Sequence, residues 1–260
     1  MEIFLAGAGL WHHVLPRFFE AGKDSSETKD APSVKLSDAN ILMSFYYVNK
    51  WQERSIRYVN SFMLDSGAFT FFSQGKNLNW DEYVERYADY VKQKDIKLFF
   101  ELDIDSLVGY DKVLQIREKL EKLAGRRCIP VWHKSRGIDA FVDMCKEYKY
   151  VSIGGIVSNE ITRNQYQHFP KFISTAHKYG AKIHGLGFTY LEGLTKYKFD
   201  SVDSTAWLSG NRFGHVYKFN GKTMTKHDRP RGKMLKDVKS VALNNFDEWA
   251  KFGVYARRCL

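Results

Sequence analysis

Tyr197-Lys198-Phe199-Asp200-Ser201-Val202-Asp203-Ser204-Thr205 alternates apolar and polar residues, carries two carboxylates and ends in a run of hydroxyls. The alternation has the period of a strand, yet an ionised carboxylate without partners is costly to bury. Phe62-Met63-Leu64-Asp65-Ser66-Gly67 repeats the arrangement: an apolar strand, then Asp, Ser and Gly. Two strands that each deliver a carboxylate at the C-terminal end suggest an active site built by convergence of strand ends. That reading predicts an enzyme.

Working outward, short apolar runs alternate with helical patterns along most of the chain. Strands are expected at residues 3–7, 41–46, 62–65, 97–103, 128–132, 150–154, 182–186 and 199–203, and helices at 80–94, 112–124, 139–148 and 165–179. Asn79 and Asp81 are start signals for the first helix, and Gly180 is a stop for the last. Eight strands with intervening helices in 260 residues predict an α/β protein, a single (β/α)8 TIM barrel. A doubly wound open sheet is the alternative. The polar stretch 22–37 reads as an excursion after the first strand. Residues 1–210 are taken as the barrel core and 211–260 as a basic loop or hairpin with a C-terminal helix near 245–257, packed on the barrel as one domain.

Lys and Arg outnumber Asp and Glu by 40 to 30, a net charge of +10. Such an excess favours a polyanionic partner; the plainer reading is a surplus that aids solubility. The excess concentrates in segment 212–239, where Arg212, Lys218, Lys222, Lys226, Arg229, Arg231, Lys233, Lys236 and Lys239 face only Asp228 and Asp237. Cys128, Cys145 and Cys259 show no CxxC spacing, which fits a reducing cytoplasm. The apolar N-terminus lacks the basic lead of a signal peptide, and no apolar run approaches a membrane span. A soluble, cytoplasmic protein with no membrane partner is expected.

In a barrel, catalytic groups sit at the C-terminal ends of strands. Asp65 ends the third expected strand, Asp103 and Asp105 the fourth, and His133 follows the fifth. Gly154 and Gly155 follow the sixth, Gly185 and Gly187 bracket the end of the seventh, and Asp200 and Asp203 end the eighth. Carboxylates at one mouth can divide nucleophile and acid/base work if their environments separate their pKa values. Each residue also has a structural reading: Asp65 capping a turn, Asp200 binding backbone amides at the mouth, His133 a hydrogen-bonded rim histidine, the glycines ordinary turns. Asp65, Asp103, His133 and Asp203 could instead ligate the metal of a barrel hydrolase, though no His-x-His or His-Glu-x-x-His pair is present. A non-catalytic nucleic-acid-binding barrel is the third reading.

These residues resemble the tRNA-guanine transglycosylase superfamily (queuine tRNA-ribosyltransferase-like proteins), closest to the phage-type 7-deazaguanine DNA transglycosylases. Leu64-Asp65-Ser66-Gly67-Ala68-Phe69-Thr70 is similar to the family's Asp-Ser-Gly-Gly-Phe-Gln segment, with Ala and Thr as departures. Ser152-Ile153-Gly154-Gly155 resembles its base-binding Gly-Gly turn, and His184-Gly185-Leu186-Gly187 its later glycine turn. Residues 197–203 resemble Tyr-Gly-Val-Asp-Met-Phe-Asp, whose final Asp is the nucleophile. The family's glutamine after the fifth strand is missing; Trp132 or His133 stands there. No zinc set of four cysteines, or of three cysteines and a histidine, can be assembled near the C-terminus. Set beside the tRNA enzymes, the resemblance thus implies a relative without their zinc subdomain, with the basic segment 212–239 expected in its place.

The resemblance implies a pentosyltransferase that replaces guanine by a 7-deazaguanine, such as 7-cyano-7-deazaguanine, in DNA or alternatively in tRNA, through a covalent glycosyl-Asp intermediate. Asp203 would be the nucleophile and Asp65 the general acid/base. The base would be bound by Asp103 (Asp105 as alternative), His133, Gly154, Gly155, Gly185, Gly187 and Ser66, with Phe69, Trp132 or Phe188 stacking on it. Arg212, Lys218, Lys222, Lys226, Arg229, Arg231 and Lys233 would hold phosphates. No cofactor and no metal is implied, and a phage-encoded protein of this kind would act in the host cytoplasm.

Overall fold

Eight parallel strands run around a common axis. The computed structural model describes residues 1–7, 35–48, 53, 56–68, 79–228 and 237–260, with the backbone alone at 211 and 212. The strands are β1 (Glu2–Ala6), β2 (Asn40–Ser44), β3 (Ser61–Asp65), β4 (Leu98–Phe99), β5 (Val131–Trp132), β6 (Tyr150–Ile153), β7 (Lys182–Gly185) and β8 (Ser201–Ser204). Their hydrogen-bonded order is β4-β3-β2-β1-β8-β7-β6-β5. A parallel bridge between Phe100 and Ile129 joins the two ends. There the Ile129 N–H donates to Phe99 O at 2.8 Å and the Glu101 N–H to Ile129 O at 3.1 Å. The sheet closes on itself, so the fold is a (β/α)8 barrel; the open-sheet alternative would leave β4 and β5 as edges.

The described α-helices are α1 (Trp80–Gln93), α2 (Asp105–Val108), α3 (Tyr110–Ala124), α4 (Gly137–Glu147), α5 (Phe169–Lys178), α6 (Leu191–Lys196), α7 (Ser209–Phe213) and α8 (Val238–Cys259), with a hairpin of β9 (Val216–Phe219) and β10 (Met224–His227) before α8 and short 3-10 segments between several elements. Asn79 caps α1 as expected, its side chain accepting from the Asp81 N–H at 3.1 Å. Tyr83, Val84, Tyr87, Ala88 and Val91 form the buried face of α1. Two of these aromatics also carry polar ties: Tyr87 donates to Leu64 O and Phe100 O at 3.1 and 3.0 Å, and Tyr83 donates to Ser66 O. Helix α1 thereby clamps the turn that presents Asp65.

Two helix expectations need correction. Residues 165–179 do not form one helix: a 3-10 segment, Arg163–His168, precedes α5, which begins at Phe169–Pro170. Proline has no N–H for an interior helical bond and is tolerated in the first turn, so the α-helix starts there. The last helix starts at Val238 rather than near 245, because Asp237 caps it by accepting the Ser240 N–H at 2.9 Å.

The period of two along each strand sorts side chains into the barrel interior and the layer under the helices. Phe4, Ala6, Leu42, Met63, Phe100, Ile129 and Val131 pack together as the interior of the β1–β5 side. On the β6–β8 side the same parity places Ser152, His184, Ser201 and Asp203, all buried. The interior is apolar on one side and polar on the other. The outward faces, with Ile3, Leu5, Val151, Ile153, Ile183 and Val202, join the cluster under α4, α5 and α8.

The β4–β5 seam is fastened by side chains. Val131 N–H donates to Oε1 of the wholly buried Glu101 at 2.7 Å. The same carboxylate binds Arg136 at 2.7 Å and Arg117 at 2.5 Å, all three side chains being buried. The β9–β10 hairpin docks on α8: Asn245 accepts the Tyr217 N–H at 2.9 Å and donates to Trp207 O and His215 O, while Asn244 donates to Tyr217 O at 3.1 Å.

Candidate active site

Asp65 ends β3 with the parity that points into the barrel mouth. Its Oδ2 accepts the Gly67 N–H at 3.1 Å, so it does cap the turn, as the plainer reading held. Gly67 has φ +72°, and a Cβ there would stand 2.4 Å from Ser44 Oγ and 2.7 Å from Tyr46 Cβ. Only glycine lets the turn close this tightly. Burial, then the Asp103 carboxylate, push the Asp65 carboxyl up from 3.8 to about 7; Asp203 adds to the rise, and the Gly67 N–H and the Ser44 hydroxyl oppose it. Asp65 ends β3, Asp203 lies in β8 and Asp103 follows β4, all at the C-terminal end of parallel strands. Asp65, Asp103 and Asp203 therefore meet at one mouth.

The raised value makes stability depend on pH in a definite direction. Below about pH 4 the Asp65 carboxyl is protonated in both folded and unfolded chains. Between about 4 and 7 the folded protein retains a proton that the unfolded chain releases, so stability falls as pH rises, by up to about 1.4 kcal/mol per pH unit. Asp65→Asn is neutral throughout, so its unfolding free energy relative to wild type should climb from pH 4 to 7 and then level off. Denaturation curves across that range check this, and a constant difference would contradict the raised value.

Asp203 lies in β8 and is buried. Its Oδ1 accepts the Gly187 N–H at 2.5 Å and faces His184 Nε2 at 3.2 Å. Gly187 reaches this position with φ +71°, where a Cβ would strike Val157. His133, after β5, has Nδ1 3.0 Å from Glu160 and Nε2 3.5 Å from Asp103. Burial opposes its charge, but the Asp103 and Glu160 carboxylates outweigh it and push the imidazole up to about 9. A Cβ on Gly154 would meet the His133 ring at 2.8 Å, so the glycine makes room for that ring. Gly155 lies against Glu160. Ser66, wholly buried, supports the Asp65 turn by accepting the Ala68 N–H.

Several expected site residues lie elsewhere. Asp200 is not at the mouth: it precedes β8, accepts the Ile183 N–H at 2.8 Å and pairs with His177 on α5 at 2.9 Å. It braces the N-terminal ends of β7 and β8, because strand parity and position turn it outward and downward. Asp105 is not free to read a base, since Arg136 grips both its oxygens at 2.6 Å. Gly185 faces the outer aromatic cluster, against Phe188 and Phe199, rather than the mouth. Trp132 is core, donating to Gly137 O and packing on Phe141 and Phe172. Phe188 is core as well, among Tyr166, Phe169, Tyr197 and Phe199. Phe69, Arg229, Arg231, Lys233 and the Arg212 side chain lie outside the described residues.

Other residues enter the site that no motif marks. Tyr46 and Tyr47 follow β2 next to the Asp65 turn, with their rings edge to face and Tyr47 48% exposed. The run Phe45-Tyr46-Tyr47 at a strand's C-terminal end was a usable signal. Glu160 lies in a loop and Arg136 in a short 3-10 segment, their partners are distant in sequence, and no local pattern marks them. Among the described residues no group of three or more His, Cys, Asp or Glu side chains is placed to hold a metal ion. No described helix is long and apolar enough to cross a membrane.

Fold and site together define an α/β barrel with a carboxylate-lined mouth. No family model matches the chain, and no curated protein matches it. Among solved structures it is similar to the carboxyl transferase domain of Rhizobium etli pyruvate carboxylase, at 11% identity and a TM-score of 0.46 over 98% of this chain and 48% of that one. The same domain with pyruvate gives 12% identity and a TM-score of 0.45. The chain spans about half the length of these solved chains, and a likeness at this level carries no functional argument.

Proposed function

We propose that this protein is a base-exchange transglycosylase that replaces guanine by a 7-deazaguanine derivative in DNA through a glycosyl-Asp intermediate. One observation carries the reading: two carboxylates in different environments share the mouth. Asp65 is pushed up to about 7 by burial and by the Asp103 carboxylate, whereas Asp203 accepts the Gly187 N–H and faces the His184 imidazole. A carboxyl raised towards neutral pH, sharing a mouth with a second carboxylate, offers the acid/base and the nucleophile that double displacement at an anomeric carbon requires.

In the first half-reaction an Asp203 oxygen attacks C1′ and the C1′–N bond to guanine breaks. Its electron pair leaves with the base, which takes the Asp65 proton. In the second, Asp65 removes a proton from the incoming 7-deazaguanine, whose nitrogen attacks C1′ and expels Asp203. Asp103, an acceptor, suits the N–H donors of a guanine edge, and protonated His133 beside it suits a carbonyl acceptor. Adenine presents the opposite pattern. With Trp132 and Phe188 committed to the core, Tyr46 and Tyr47 are the described aromatics beside Asp65 that can stack on a base turned out of its helix.

The hairpin supplies the polyanion contact. Lys218, Lys222 and Lys226 are exposed on it, Lys226 lying 3.5 Å from Asp228. Replacing Lys218 and Lys222 together by Glu is expected to weaken DNA binding and to lower the slope of log affinity against log salt by about one per lost phosphate contact. Fluorescence titrations at several salt concentrations measure both, and an unchanged slope would remove the hairpin from the interface.

The function itself is tested by incubation with guanine-labelled DNA and, separately, labelled tRNA, each with a 7-deazaguanine acceptor. Release of label from DNA supports the reading. Release from tRNA alone moves the substrate to RNA, and release from neither with every acceptor base overturns it.

A further inference from the structure

On the polar side of the barrel interior runs a chain of side chains that the exchange reaction does not use. His184 is wholly buried, its ring 6.2 Å from that of Phe4 and 5.3 Å from that of Phe100. Its Nδ1 meets the Ser201 hydroxyl, and its Nε2 lies 3.2 Å from Oδ1 of Asp203. Ser201 in turn meets the Tyr150 hydroxyl. The order Ser–His–Asp is that of a hydrolase triad, but Ser201 is wholly buried. The member facing the mouth is the carboxylate.

If the protons run in one direction, every group is satisfied. Tyr150 O–H donates to Ser201, Ser201 O–H to His184 Nδ1, and His184 Nε2–H to Asp203. This order needs no charge on an imidazole set between two phenyl rings. The Gly187 N–H also goes to Oδ1 of Asp203. Among the described residues, both donors to this carboxylate therefore hold the same oxygen. The terminal torsion of an Asp is broad and roughly two-fold, so pinning one oxygen decides where the other points.

We propose that His184 is a positioning residue for Asp203: held in its Nε2–H tautomer by Ser201 and Tyr150, it pins Oδ1 and presents Oδ2 as the attacking atom. The tautomer stands on the hydrogen-bond chain alone, whereas the identity of the attacked atom rests on the base-exchange reading. Fixing the nucleophile in its attack orientation removes entropy from the barrier before the substrate arrives.

The test pairs a spectrum with a rate. Nitrogen-15 NMR of the imidazole in the wild-type protein is expected to show His184 protonated at Nε2 and bare at Nδ1. A ring protonated at Nδ1 alone, or at both nitrogens, overturns the proposal whatever the activity. Removing His184 itself can unfold the barrel, so the variant to use is Ser201→Ala, which deletes one atom. It should lower kcat about tenfold, the net worth of one hydrogen bond, with KM for the nucleic acid unchanged. An unchanged kcat, or a loss confined to KM, overturns the positioning role. If the wild-type protein exchanges no base on any nucleic acid, the base-exchange reading fails, and the spectrum still decides the tautomer.

Discussion

Asp203→Asn is expected to abolish base exchange, lowering guanine release from DNA by about 10⁴-fold or more, as removal of a covalent nucleophile does elsewhere. The substitution changes shape very little. The Asn carbonyl can still accept the Gly187 N–H that now binds Oδ1, so the glycine turn should keep its place and the fold should survive. On the base-exchange proposal, what is lost is the carboxylate that would stabilise an oxocarbenium-like transition state and then bond to C1′. The measurement is release of labelled guanine, alongside the mass of the protein–DNA adduct trapped under denaturing conditions. Both signals should vanish together in the variant. Release within about tenfold of wild type would take the nucleophile's role away from Asp203.

The second large effect is on stability. Glu101→Ala is expected to cost about 3–5 kcal/mol, because it leaves the buried Arg117 without its carboxylate, while Arg136 keeps only Asp105. Arg117 and Arg136 both lean on this one carboxylate, and neither side chain is more than 5% exposed. The Val131 N–H loses its acceptor at the same time. A domain of this kind is stable by only about 5–15 kcal/mol, so the loss is a large share of the total. Glu101→Gln keeps an acceptor for Val131 but not the charge, and should fall between wild type and Ala. Urea unfolding of the three proteins orders them. A cost below about 1 kcal/mol for the alanine variant would mean that the seam does not depend on Glu101.

The barrel was legible because its signal is local. Apolar runs of four to six residues, punctuated by Gly, Asn and Asp, mark strands wherever they fall, and all eight expected strands are present within a few residues of their places. The fourth and fifth strands are shorter than the apolar runs predict, since residues beyond Phe99 and before Val131 are apolar without making a regular ladder. The site was legible in part for the same reason. Parity along a strand carries Asp65, His133, Gly154 and Asp203 inward, and parity is readable in the sequence. Asp200 stands on the lower rim because β8 begins at Ser201, two residues after the start that the apolar alternation predicts. His184, Glu160 and Arg136 were not legible, because each takes its meaning from a partner 15 or more residues away. A hydrogen bond such as Arg136 to Glu101, 35 residues apart, leaves no periodic trace.

The hairpin hangs on the barrel in an unusual manner. An isolated two-stranded ribbon is marginal in water, and this one adds no strand to the barrel sheet. Its free edge is instead met by side chains of α8: Asn244, Asn245 and Glu248 take up the backbone polar groups of Tyr217 and Phe219. Of the residues in its two strands only Tyr217 and Met224 are buried. The ribbon is thus an exchangeable fitting, held by a few amides and two anchors. Its exposed residues and its connecting turn can be rewritten while every stave of the barrel, and the acid pair at its mouth, stays as it is.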